Sequence, residues 1–246
     1  NSQNCAFGQD QNDNTSINNI LIQRCHFNQK FMSKIKTNNY GTNSNWVIKD
    51  CIFSPSAHIY LGSYIYPSVN TQSNNFVFMN NIINSYIYYS SANHYFINNV
   101  FTGNYSQGFS YISNIIVENN IFFRWTPRGC ENSIFNNNLT YNTSNNDIPY
   151  GNNVGSNNII NQNPKFVNAV GYDFNLNENF NLQESSPALN AGNDGKDLGI
   201  YGGSEPFPSN YSLYPTLPYV TNLNIPNKNI NYNGSIIINF DAMQNK

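Results

Sequence analysis

The 246 residues carry a net charge of −2 and only 10% charged side chains, which leaves no basic surface for nucleic acid, whose phosphates require clustered Lys and Arg. Hydrophobic residues at 39% and aromatics at 15% are enough to fill a core, which argues against disorder although roughly one residue in five is Asn. No apolar run approaches the ~20 residues of a membrane span.

Self-comparison along the chain finds one recurring phrase. It reads Cys5-Ala6-Phe7, Cys25-His26-Phe27, Cys51-Ile52-Phe53, Asn81-Ile82-Ile83, Asn99-Val100-Phe101, Asn120-Ile121-Phe122, Asn138-Leu139-Thr140 and Asn158-Ile159-Ile160. Three residues before the anchor runs an apolar column of Ile22, Ile48, Phe78, Phe96, Val117 and Phe135, broken at Gly155. A period near 20 with short β-branched and aromatic segments specifies a solenoid of β coils rather than paired helices. The chain lacks the Leu pattern of leucine-rich repeats. The fold class is therefore all-β, a right-handed parallel β-helix of about eight coils, with a C-terminal cap and a short β-strand tail.

The anchor column has a physical reason. Backbone groups leave the strand ladder at a tight bend and need partners, and an Asn amide supplies both a donor and an acceptor. Stacked ~4.8 Å apart on successive coils, Asn81, Asn99, Asn120, Asn138 and Asn158 form an amide ladder and tolerate left-handed backbone. Cys5, Cys25 and Cys51 occupy the same position. Their separation is compatible with a disulfide, but buried reduced thiols are the favoured reading.

The wide interval from Cys51 to Asn81 specifies a loop inserted into a coil, where functional surfaces concentrate. Tyrosines gather here and in the coils that follow, from Tyr60 through Tyr95 and Tyr105 to Tyr111. Tyr60, Tyr64, Tyr66, Tyr86, Tyr88 and Tyr89 are the candidate binding residues, a platform for sugar rings or for a protein. Half-buried stacking on the sheet is the alternative.

Carboxylates are sparse between residues 15 and 163: Asp50, Glu118, Glu131 and Asp147. Arg24 and Asp50 share a column and read as a surface ion pair. His26 falls inside the ladder phrase and reads as packed, while His58 and His94 have no Ser or Cys partner at a recognisable spacing. No Cys-x-x-Cys or His pair suggests a metal, and no cofactor is expected. Asn193-Asp194-Gly195 with Asp197 reads as an Asx-stabilised turn in preference to a calcium loop.

Past Asn158 the chain reads Asn163-Pro164-Lys165-Phe166-Val167, then Ser186-Pro187-Ala188-Leu189-Asn190-Ala191-Gly192, then Asp197-Leu198-Gly199. These phrases, in this order, resemble the closing segment of bacterial pectate-lyase-like right-handed parallel β-helix proteins. The resemblance covers residues 1–203 and implies that the closing segment covers the last coil. Residues 204–219 are rich in Pro and read as a linker. Residues 220–246 read as two strands, 220–225 and 235–240, around Asn233-Gly234; they are the start of a β-sandwich module or a docked hairpin.

Cys5 already lies in a coil, so further coils are expected before Asn1, or a partner on that edge. The functional expectation is a non-catalytic secreted or cell-surface module that binds a protein or glycan, or serves as a spacer. The alternative is a polysaccharide lyase or glycoside hydrolase whose catalytic coils lie upstream.

Overall fold

The computed structural model describes residues 16–32, 43–65, 68–71, 73–169, 175, 177–208, 219–224 and 239–243. The chain forms two compact units, Asn1–Phe207 and Pro208–Lys246. The first is a right-handed parallel β-helix.

Three parallel sheets build its coils. Sheet 1 stacks Leu21–Gln23, Val47–Lys49, Val77–Met79, Tyr95–Ile97, Ile116–Glu118 and Ile134–Asn136. Sheet 2 stacks His26–Phe27, Ile52–Phe53, Ile82–Ile83, Val100–Tyr105, Ile121–Trp125 and Leu139–Tyr141. Sheet 3 stacks Phe31–Met32, Ile59–Tyr60, Ile87–Ser90, Phe109–Ser113 and Cys130–Glu131. Bridges from Ile134 to Val154 and from Leu139 to Ile159 add one further rung.

The register is the one the repeats dictate. Ile22, Ile48, Phe78, Phe96, Val117 and Phe135 are Cα partners in sheet 1 and are buried. Aromatics stack rung on rung inside, with Phe78–Phe96 at 4.9 Å and Phe101–Phe122 at 4.8 Å between ring centroids. The column breaks at Gly155 because a Cβ there would lie 1.8 Å from the Phe135 carbonyl oxygen.

The ladder lies at the bend between sheets 1 and 2. Oδ1 of Asn99, Asn120, Asn138 and Asn158 accepts from the preceding rung's backbone N–H at 2.8–3.0 Å and from its Nδ2 at 3.0–3.1 Å. Cys51 N–H donates to Asn81 Oδ1 at 2.9 Å, and Cys25 N–H to Cys51 Sγ at 3.5 Å, so sulfur continues the pattern with longer bonds. Cys25 and Cys51 are free thiols, and burial pushes the Cys51 thiol up. Cys5 lies outside the described residues.

The left-handed backbone is placed one residue earlier than the ladder itself. Arg24, Asp50, Asn80, Asn98, Asn119, Asn137 and Asn157 have φ of 51–58°. The bend needs two residues, one to turn and one to point inward, so the two roles separate. This also undoes the expected Arg24–Asp50 ion pair: Asp50 is buried at the bend and accepts from Gln23 Nε2 at 2.8 Å, while Arg24 is exposed. His26 follows the anchor and points outward; it is exposed and its Nε2 is 2.7 Å from Ser54 Oγ.

The closing segment covers a flank rather than only the last coil. Asn137 Nδ2 donates to the Ala191 carbonyl at 3.0 Å, and Asn119 exchanges two bonds with Asn193, at 2.9 and 3.0 Å. Further back, Asn80 donates to the Glu205 carbonyl and the Glu205 carboxylate pairs with Lys49. Leu198 and Ile200 are each 1% exposed beside the outward side chains of sheet 2. Gly199 packs where a Cβ would be 3.0 Å from Ile121 and 3.1 Å from Val100. The Val100, Ile121 and Leu139 side chains of sheet 2 point out of the coil and are fully buried, so a flanking cover is what their apolar surface requires. Asp194 accepts from the Lys196 N–H two residues on, the Asx pattern of a turn, and Asp197 accepts from the Asn190 N–H across the base of the loop.

The wide coil between Cys51 and Asn81 carries an antiparallel hairpin, Gly62–Ile65 with Ser68–Thr71. In the second unit Tyr219–Asn224 pairs antiparallel with Asn239–Met243. The second strand thus begins four residues later than the apolar run suggested, and Asn233-Gly234 lies outside the described residues.

Candidate functional site

Sheet 3 carries three of the six candidate tyrosines, Tyr60, Tyr88 and Tyr89, and Tyr86 immediately precedes its strand Ile87–Ser90. Tyr60 and Tyr88 are register partners, and their rings stack at 4.9 Å with planes 17° apart. One face of each is therefore covered by the other, which is the geometry of in-register aromatics one rung apart. Tyr86 packs edge-on against Tyr105 at 4.5 Å and against His58 at 5.4 Å. The Lys30 ammonium lies 5.7 Å from the Tyr60 ring centroid. Burial, with Tyr60, Tyr86 and Tyr89 alongside, pushes the Tyr88 phenol up to about 12. Burial and Lys30 hold the His58 imidazole below its ordinary range. Tyr64 sits in the hairpin strand Gly62–Ile65, and Tyr66 lies outside the described residues.

Tyr89 differs from its neighbours. It has φ 59°, and Tyr111, one rung on in the same column, has φ 54°. A bulky side chain in the left-handed region costs of order 1–2 kcal/mol, and most other bends of this molecule place Asn there, with Arg24, Asp50, Arg124 and Lys165 the non-aromatic exceptions among the described residues. The two rings lie 5.8 Å apart with planes at 29°. Gly129 occupies the same column on the following rung, with φ 93°, and a Cβ there would fall 1.9 Å from the Phe109 carbonyl oxygen. The aromatic column ends at this glycine, and a groove of about 780 Å³ opens beyond it.

Tyr111 is 58% exposed and lines the groove. Gln107, Ser110, Ser113, Glu131 and Asn152 bring amide, hydroxyl and carboxylate groups to the same walls. Tyr150 closes the far side. The Arg128 guanidinium lies 3.9 Å from its ring centroid, and its hydroxyl accepts from the Cys130 N–H at 3.0 Å. Burial pushes the Cys130 thiol up to about 12, so it is protonated at neutral pH and is no nucleophile. Glu131 is the one carboxylate among the described residues of the lining.

Sequence reasoning placed Tyr111 in the tyrosine-rich span but did not single it out, and it passed over Gln107 and Tyr150. The available signal was that Tyr89 and Tyr111 keep the same offset after Ile87 and Phe109. His94 also differs from expectation. Its Nε2 lies 2.8 Å from Ser90 Oγ and 3.2 Å from Ser73 Oγ, while Nδ1 accepts from the Phe76 N–H at 3.1 Å. Ser73 is supplied by the preceding coil, a pairing that sequence spacing hides, whereas Ser90 stands four residues before His94. His94 is 0% exposed, and burial pushes its imidazole down to about 3, so the cluster is a neutral core network.

No helix among the described residues is long and apolar enough to cross a membrane. No protein-family model matches this chain, and no curated protein matches it.

Proposed function

We propose that this chain is a non-catalytic glycan-binding module of a secreted or cell-surface β-helix protein of the pectate-lyase-like type. The observation that carries this is the left-handed pair Tyr89 and Tyr111, whose stack ends at the groove. Two stacked aromatic rings held on left-handed backbone in one column, ending at a groove, support a role outside folding. An aromatic ring beside amides, hydroxyls and one carboxylate suits a pyranose, which has an apolar ring face and a rim of hydroxyls. The phrases at 163–167, 186–192 and 197–199 support the type, and the single carboxylate in the groove supports binding over hydrolysis.

Calorimetric titration with neutral and acidic oligosaccharides tests the reading. Binding of at least one class, weakened tenfold or more in Tyr111→Ala, is the expected result. Binding unaffected by Tyr111→Ala and Glu131→Gln would move the ligand elsewhere. Release of reducing or unsaturated sugar ends would replace binding by catalysis.

A further inference from the structure

The groove beyond Gly129 has an electrostatic character as well as a shape. Among the described residues of its lining one side chain carries a charge, the Glu131 carboxylate, and none is a Lys, Arg or His. The Cys130 thiol and the Tyr150 phenol, which also line it, are held neutral, because burial pushes both up. Arg128 is engaged elsewhere. Its guanidinium lies over the Tyr150 ring, and among the described residues it makes no ion pair with Glu131. Glu131 itself is exposed, so its carboxylate is open to a ligand. The groove therefore presents a net negative charge.

Tyr111 acts in the same direction. An aromatic ring has a negative face and attracts a cation within about 6 Å of its centroid. Glu131 is the register partner of Ser113, so it stands one rung on from Tyr111 and two residues along the strand. Strand and rung spacings put the Tyr111 and Glu131 Cα atoms roughly 8 Å apart, a span that one pyranose and its substituent can bridge. We infer that the glycan of this groove is an amino sugar with a free ammonium group, which rests on the glycan reading above and narrows it. The sugar ring lies against Tyr111, and the ammonium meets the Glu131 carboxylate in a charge-assisted hydrogen bond. Gln107, Ser110 and Asn152 supply amide and hydroxyl partners for the remaining sugar hydroxyls. An N-acetylated sugar keeps the ring contact and loses the charge. A uronate is worse placed, because its carboxylate would face Glu131, and like charges brought together oppose binding.

The test is calorimetric titration at about pH 6, where primary amines are protonated. The probes are a glucosamine tetrasaccharide, its fully N-acetylated counterpart and a galacturonate tetrasaccharide. The amine form should bind about tenfold tighter than the N-acetylated form, and the galacturonate more weakly than either. The advantage of the amine form should shrink at about 0.5 M salt, which screens an exposed pair. Glu131→Gln should bring the amine and N-acetylated affinities together, and Glu131→Lys should turn the preference toward the galacturonate. Equal binding of the amine and N-acetylated forms, or tightest binding of the galacturonate, overturns this inference and leaves the glycan reading standing. An amine preference that survives in Glu131→Gln overturns it too, since the ammonium then lies elsewhere. Tighter binding of tetralysine than of the glucosamine tetrasaccharide would assign the groove to a basic peptide, and with no binding of any sugar the glycan reading falls as well.

Discussion

Asn120→Ala is the sharpest test of what holds the coils together. Asn120 is fully buried at mid-ladder. Its Oδ1 accepts from the Asn99 N–H at 2.8 Å and from Asn99 Nδ2 at 3.0 Å. Its Nδ2 protons are shared among the carbonyls of Phe96 and Glu118 and Oδ1 of Asn138, at 2.8, 2.9 and 3.0 Å. Alanine leaves the Asn99 N–H without its acceptor and the Phe96 carbonyl without this donor. Each buried orphan costs about 1–3 kcal/mol, so we expect a loss of about 3 kcal/mol. At 2–4 °C per kcal/mol for a unit of this size, the melting point should fall by roughly 6–12 °C. Asn158, in the terminal described rung, is only half-buried, and water can replace its bonds. Asn158→Ala should therefore cost about half as much. Denaturant titration of both variants by far-ultraviolet circular dichroism provides the measurement. A cost below about 1 kcal/mol for Asn120→Ala, or equal costs at the two positions, would refute the ladder as a source of stability.

Further outcomes follow from the same geometry. Cys51→Asn should stabilise the fold by about 1 kcal/mol, because Cys51 Sγ lies 3.7 Å from the Ile22 carbonyl where Asn81, one rung on, donates to Ile48 at 2.9 Å; an unchanged denaturation midpoint would count against it. His94 binds its proton in the unfolded chain near pH 6.5 and in the folded chain near pH 3. Its contribution is thus present above pH 6.5 and lost as the pH falls toward 3, amounting to about 2 kcal/mol between pH 7 and 5. Denaturant midpoints at the two pH values should show that loss in the wild type and a smaller one in His94→Gln; equal slopes would show that the imidazole is not buried neutral. Tyr111→Asn exchanges ring stacking for relief of the left-handed strain, two terms of about 1 kcal/mol each. It should leave stability within about 1 kcal/mol while abolishing glycan binding, and a large destabilisation would make Tyr111 a folding residue. Gly129→Ala should destabilise strongly, since its Cβ would strike the Phe109 carbonyl oxygen; a melting curve like the wild type's would mean that this bend can relax.

Much of the architecture was legible because a solenoid writes its tertiary structure as a local repeat. The phrase from Cys25 to Asn158 and the apolar column from Ile22 to Phe135 name the residues that stack, and the register follows them. Contacts between neighbouring coils recur at one period, so a one-dimensional pattern suffices. The loop between Cys51 and Asn81 was visible as a lengthened interval, although its hairpin was not.

What the sequence left open depends on groups brought together by different periods or by none. The flanking path of residues 186–207 follows the outward Val100, Ile121 and Leu139, whose apolar column belongs to the repeat while the segment that covers it does not. The left-handed residue and the inward ladder residue are adjacent, so composition could not separate their roles. The tyrosines were legible as a cluster, but their faces were not. In-register stacking covers one face each of Tyr60 and Tyr88, while the bend at Tyr111 places its ring in the groove lining. That groove exists because Gly129 ends the column and Tyr150 returns from a later coil. Sequence by itself determined the coil, its core and its ladder, because these need only one residue type at one interval. Tertiary structure decided which aromatic ring meets solvent and which outward side chains are covered, because the first depends on backbone direction at single bends and the second on a distant segment folding back over them.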